Sequence, residues 1–248
     1  MSDARVYSIS FSHPSRAARL MLEHKGIDYK LVKIGAGMQA VQIRLAGFNG
    51  GTVPALRIGG RRALGTLAIS RLLDEIRPEP PLFPVDAARR RAVEEAEAWG
   101  DGVLQPIPRR LLRWALRHHH AARVTFSRGL GTPLPQLAAV LIAPVAGFYA
   151  RREQAASTQR IRRDWRELPG HLDHVDELIA AGTIGGEARN AADFQIGTTI
   201  RVMLACADFE PLIAGRPAER LARDIWPDYR YHVPTALPPE VTGAIPPS

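Results

Sequence analysis

Cysteine is nearly missing from this chain: Cys206 is the one thiol in 248 residues. That excludes an internal disulfide framework, a cysteine-built zinc site and a CxxC redox motif together, and a reducing cytoplasm is the compartment it fits. Lysine is scarce as well, with Lys25, Lys30 and Lys33 the only three among 33 basic residues. The formal net charge of +8 is thus carried by arginine. No basic strand interleaved with aromatics and no recognition-helix pattern accompanies it, so nucleic acid is not an expected partner. The densest stretch, "RREQAASTQRIRRDWRE" at 151–167, holds Glu153, Asp164 and Glu167 among its arginines and reads as a solvated helix face with intrahelical pairs. Long apolar runs are lacking too. The nearest, "LAAVLIAPVAGFYA" at 137–150, is too short to span a bilayer, contains Pro144 and ends on Arg151 and Arg152. It reads as a buried core helix with a proline kink. The opening residues lack the charged and apolar regions of a signal peptide, so no membrane partner is expected.

What is present is a globular composition, with 46% hydrophobic residues in a chain long enough for two domains. "RVYSIS" has strand character and "SRAARLMLEHK" is helix-forming throughout, with Gly26 where a helix would end. "DYKLVKI" reads as a second strand, so the first three elements form a βαβ unit with a parallel pair and a right-handed crossover. After a glycine-containing stretch at 35–51, "PALRI" and "RRAL" are short strands separated by Gly59-Gly60, a two-residue hairpin signal. In "TLAISRLLDEI", Ile69, Leu72, Leu73 and Ile76 recur at i, i+3, i+4, i+7, one apolar helix face.

"RPEPPLFP" at 77–84 is a proline-rich linker, and beyond it strand signals nearly vanish. "DAARRRAVEEAEAWGDGVLQPIPRRLLRWALR" predicts a long helix interrupted near Pro106 and Pro108, and Leu168, Leu172, Val175 and Ile179 mark another helix face. Asn190 and Asp193 open a further helix as a variant capping box. The last stretch, "WPDYRYHVPTALPPEVTGAIPPS", is proline-rich and aperiodic and is expected to lie extended on the surface or to be mobile. The expected division is 1–77, an α/β domain with a mixed four-stranded sheet; 85–226, an all-α helical bundle; and 227–248, a tail. The histidines at 118, 119 and 120 point in different directions on a helix, and no metal site is expected. Cys206 reads as a small core residue.

This order of elements, with "SFSHPSRAARLMLEHKGIDYKLVKI", "TVPAL", "GTLAISRLLDE" and "LPGHLDHVDELIAAGTIGGEARNAADF" in register, resembles the glutathione transferase superfamily, in its theta-like, serine-type branch. The resemblance implies a thioredoxin-like N-terminal domain binding glutathione as co-substrate, an all-helical domain carrying a hydrophobic electrophile, a homodimer, and no further cofactor. It places Ser12 at the sulfur. A free thiol has a pKa near 8.5, and a donated hydrogen bond beside a helix N-terminus lowers it by roughly two units, about 2.7 kcal/mol in favour of the thiolate. Ser10 and Ser15 are rival hydroxyls, and a helix cap is the alternative role for this turn.

The resemblance also assigns Val53 and a cis Pro54 to the cysteinyl backbone of glutathione and Gly65-Thr66 to its γ-glutamyl end. At that last place the family carries an acid or glutamine before serine. Gly65 supplies no acceptor for the ligand's ammonium group, so glutathione either binds weakly, uses another acid such as Asp101 or Asp74 or one from a partner subunit, or is replaced by a different thiol. Arg110, Arg113 and Trp114 are the residues expected in the electrophile pocket. A non-catalytic relative that binds an apolar ligand or a protein is the second class of function that the sequence leaves open.

Overall fold

The computed structural model describes residues 3–10, 12–35, 38–129, 132–152, 157–235, 237 and 239–243. Packing divides the chain into two compact units, Met1–Gly102 with Leu178–Thr199 and Val103–Glu177 with Ile200–Ser248. The unit boundaries cut across the linear order of the domains read from the sequence.

In the first unit β1 (Ala4–Ser8), β2 (Tyr29–Lys33), β3 (Ala55–Ile58) and β4 (Arg61–Leu64) form one sheet in the order β2-β1-β3-β4. β1 pairs parallel to β2, Val6 opposite Leu31, and antiparallel to β3, Val6 opposite Leu56. The parallel pair is joined through α1 (His13–His24), as a crossover requires. Gly59 and Gly60, both with positive φ (53° and 77°), make the two-residue turn between β3 and β4, the backbone that a tight hairpin demands and only glycine adopts freely. α1 ends in a doubly bonded C-cap: the Ile27 amide donates to Leu22 at 2.9 Å and the Gly26 amide to Glu23 at 3.0 Å.

α1 and α3 (Thr66–Ile76) pack together through Ala17, Ala18, Met21 and Leu22 on one side and Ile69, Leu72 and Leu73 on the other, all buried. By strand alternation Tyr7 points to the opposite face from Val6. It joins Ile34, Ile43 and Phe48 in a second cluster, which covers that face with α2 (Gln39–Leu45), the element of the uncertain 35–51 stretch. The proline-rich linker is packed, with Leu82 and Phe83 buried. Lys25, itself buried, donates to Asp74 at 2.8 Å and to the Pro78 carbonyl at 3.1 Å, while Asp74 accepts from the Leu82 amide at 2.9 Å. Two X-Pro bonds are cis, Val53-Pro54 as the resemblance implied and Glu79-Pro80.

The remaining elements are helical: α4 (Ala87–Trp99), a π-helical turn over Gly100–Leu104, α5 (Pro106–His118), α6 (His120–Gly129), α7 (Pro135–Arg152), α8 (Thr158–Ala180), α9 (Ala191–Met203), α10 (Glu210–Ile213), α11 (Pro217–Ile225) and α12 (Pro239–Thr242). The break expected near Pro106 and Pro108 falls just ahead of them, in the π turn. Both prolines then open α5, whose first turn has no use for their missing N–H groups. The Asn190–Asp193 capping box forms: the Asn190 amide donates to Asp193 at 2.8 Å and the Asp193 amide to Asn190 Oδ1 at 3.2 Å.

Two expectations are corrected. α7 is a helix through Pro144, but it is not a buried core helix: Leu137, Val140, Leu141 and Pro144 are exposed, and Ala139 is buried. The described part of the C-terminal tail is not loose. Val233 pairs with Cys206 in a short parallel bridge, and Leu237 and Val241 are buried, because the apolar residues between the tail's prolines have a surface of the second unit to cover. The arginine-rich helix behaves as read, with Arg160–Asp164 and Arg163–Glu167 pairs one turn apart.

Candidate functional site

The turn after β1 delivers Ser12 as the N-cap of α1, its amide donating to the Ile9 carbonyl at 3.0 Å and its carbonyl accepting from Arg16 at 3.0 Å. Ser12 Oγ accepts twice, from the Ser15 amide at 3.2 Å and the Ser15 hydroxyl at 2.9 Å. An oxygen that accepts from both still has its own proton to give. Ser12 is half-buried, Ser15 fully buried and Ser10 exposed, so of the three hydroxyls Ser15 is held inside and engaged with Ser12. No acidic residue stands in the first turn of α1 to offset the positive end of its dipole.

Pro54 and Gly65 are coupled: the Gly65 amide donates to the Pro54 carbonyl at 2.9 Å, which sets the start of β3 beside the start of α3. Gly65 has φ 86° and ψ 158°, a region that side-chain-bearing residues occupy only under strain. Its backbone therefore suits glycine. An acid from elsewhere in the same unit stands beside this turn. Thr66, at the first position of α3, donates its hydroxyl to Asp101 Oδ1 at 3.0 Å, and Gln195 Nε2 donates to the same oxygen at 3.3 Å. Of the two acids considered from sequence, Asp101 stands at Thr66, whereas Asp74 is held by Lys25.

Behind this group lies Glu97, fully buried and ion-paired with Arg71, whose guanidinium lies 4.1 Å over the Phe83 ring. Burial pushes the Glu97 carboxyl up from its ordinary range, the Asp101 charge adds to this, and Ser70 and Arg71 oppose it. Gln195 is a residue the sequence reading passed over. The signal was a polar side chain inside the apolar run "FQIGTTI", and it is fully buried.

In the second unit Arg110 clamps Asp164 with two bonds of 2.5 and 2.7 Å, and Trp114 is buried with the His118 and His119 rings 4.8 and 5.5 Å away. Arg113 is half-buried beside them on α5. What the structure shows of these residues is packing and ion pairing. Cys206 is buried, with its thiol pushed up to about 12 by burial, an inert state for a nucleophile. Among the described residues no group of three or more His, Cys, Asp or Glu is placed to hold a metal.

Residues 6–81 match the family model described as glutathione S-transferase, N-terminal domain. Over that span the chain is similar to the N-terminal domain of glutathione S-transferases. Over 106 residues it is 38% identical to maleylacetoacetate isomerase of Mus musculus, an alignment covering 41% of this chain and 49% of the mouse protein. The chain thus spans about half the length of the curated relative it matches. Among solved structures, the beta-etherase LigF from Sphingobium sp. strain SYK-6 superposes with a TM-score of 0.64 at 14% identity, covering 91% of this chain and 95% of that one. A glutathione S-transferase from Rhodospirillum rubrum F11 gives 0.60 at 20% identity, covering 90% and 87%. The glutathione S-transferase fold, a thioredoxin-like domain with a four-stranded mixed sheet followed by a mostly helical remainder, accounts for the elements described above.

Proposed function

We propose that this chain is a glutathione-dependent transferase in which Ser12 donates a hydrogen bond to the bound thiol, holding it as thiolate for attack on a hydrophobic electrophile. The observation that carries the reading is the Thr66–Asp101 pair at the N-terminus of α3. An α-amino acid head group needs a carboxylate site and an ammonium site side by side. The first-turn amides of α3 serve the carboxylate, and Asp101, steadied by the Thr66 hydroxyl and Gln195, serves the ammonium that Gly65 cannot. The Val53-Pro54 segment, whose Pro54 carbonyl accepts from the Gly65 amide, suits the peptide portion of the ligand.

The step itself needs no external oxidant or reductant. The thiol proton leaves through solvent, sulfur forms the new bond, and either a leaving group departs or the electron pair moves into a conjugated acceptor. The 38% identity to a maleylacetoacetate isomerase favours one form of this chemistry: thiolate adds to an activated cis double bond, the new single bond rotates, and the same thiolate is expelled to leave the trans isomer. A cytoplasmic setting, homodimeric assembly and detoxification by conjugation belong to the same proposal.

Calorimetric titration with glutathione tests it. Saturable binding is expected, weakened roughly tenfold or more by Asp101→Asn, since one charge-assisted bond to the ammonium is lost. Absence of binding up to about 10 mM would remove the glutathione reading and leave another thiol or a non-catalytic binding role. With glutathione bound, product analysis separates conjugation from isomerisation.

A further inference from the structure

The arginine excess is not spread over the chain. Residues 103–157 hold eight arginines against one acidic residue, Glu153, a net +7 of the chain's +8. Inside this stretch the twenty residues 131–150, "GTPLPQLAAVLIAPVAGFYA", carry no charge at all. They supply α7, and α7 presents an apolar stripe outward. Leu137, Val140, Leu141 and Pro144 recur at i, i+3, i+4, i+7 and are exposed, the first three by 55, 58 and 66%, with Leu134 exposed by 63% just before the helix. The inner side of α7 is occupied: Ala139 is buried, its carbonyl accepts from Arg123 at 2.9 Å, and α7 packs on α5 and α6. Arg128, exposed, stands at the end of α6, and Arg151 and Arg152 close α7, so basic residues bracket the stripe at both ends of the helix.

We propose that this face of the second unit docks on an anionic lipid bilayer, with the α7 stripe lying in the headgroup boundary and the exposed Arg128 meeting the lipid phosphates. A contiguous exposed apolar stripe marks an interaction surface, and charge decides between its possible occupants. A two-fold self-interface sets the same patch against itself, which here would oppose two stretches of one sign. Nucleic acid matches the charge but offers nothing to an apolar stripe. An anionic membrane surface satisfies both features, through buried apolar area and attraction to acidic headgroups. α7 lies on the bilayer and does not cross it, since no helix among the described residues is long and apolar enough to span. The expectation of no membrane partner rested on the lack of a spanning run and of a signal peptide, neither of which bears on a helix lying at the surface.

The test is flotation of the full chain with vesicles of phosphatidylcholine alone and of phosphatidylcholine containing phosphatidylserine, at low and high salt. The serine-containing vesicles are expected to float the protein at low salt and lose it at high salt. Leu137→Glu with Leu141→Glu is expected to lower the partition coefficient by roughly tenfold or more, with the circular dichroism melt and the elution volume unchanged. Equal flotation by both vesicle types, or undiminished flotation of the double variant, overturns the proposal. So does a double variant that turns a dimer into a monomer by light scattering while the parent ignores vesicles, because the stripe is then a contact between copies of this chain.

Discussion

At the residue scale, Ser12 does two jobs through different atoms. Its oxygen lone pairs cap α1 by accepting from Ser15, and its proton is the one that the proposed function assigns to sulfur. The two roles separate experimentally. Ser12→Ala removes both: unfolding free energy falls by about 1 kcal/mol from the lost cap, and the pKa of bound glutathione rises by roughly two units, leaving about 20- to 30-fold less thiolate at pH 7. Ser12→Thr keeps cap and donor and is expected to preserve stability and thiol pKa alike. Urea melts read the first quantity, and thiolate absorbance against pH reads the second. A serine that only caps would shift the melt and leave the titration where it was.

At the scale of the element, the loop before α9 depends on one carboxylate. Asp193 is buried and accepts from the Gly185 amide at 2.6 Å and the Asn190 amide at 2.8 Å, and Arg189 lies 3.7 Å away. Burial raises its pKa despite these donors. Asp193→Ala leaves two amides without their acceptor and is expected to cost about 2 to 3 kcal/mol, and Asn190→Ala, which loses the cap and the bond that its Nδ2 donates to the Thr183 carbonyl at 2.9 Å, costs about 1 to 2 kcal/mol. Denaturant melts of the two variants check both, and an Asp193→Ala loss below about 0.5 kcal/mol would mean that neither amide depends on the carboxylate.

Elements of this local kind were legible in the sequence. The span of α3, the β3–β4 turn at Gly59-Gly60 and the Asn190–Asp193 box each depend on residues a few positions apart, and the chain writes them openly. The placement of Asp101 beside Thr66 is a contact across 35 positions and the Gln195 bond to it spans 94, so neither leaves a periodic trace. α7 failed for the opposite reason: an uncharged apolar helix has the same composition whether it covers a core or an interaction surface.

On the scale of the whole molecule, the C-terminal stretch expected to lie extended on the surface or to be mobile is, in its described part, tied into the second unit by backbone and buried side chains. Val233 exchanges bonds of 2.7 and 3.0 Å with Ala205 and Ala207, Asp208 accepts from the Cys206 thiol at 3.4 Å and from the Leu237 amide at 3.3 Å, and Arg201 donates to the Trp226 and Tyr229 carbonyls at 3.0 and 2.9 Å. This packing has a pH signature. Burial raises the Cys206 thiol from 9.0 to about 12 and raises the Tyr229 phenol above its ordinary value. Both folded values lie above the unfolded ones, so below about pH 7.5 the two states bind these protons equally. Above that the unfolded chain releases protons that the folded chain retains, and stability falls as pH rises toward 12. The urea midpoint is therefore expected to hold level up to about pH 7.5 and to drop between about pH 8.5 and 11. Cys206→Ala should flatten the earlier part of that drop and Tyr229→Phe the later part, because each removes one proton from the difference. A midpoint as steep in both variants as in the parent would mean that neither group is shielded, and that the tail does not cover them in solution.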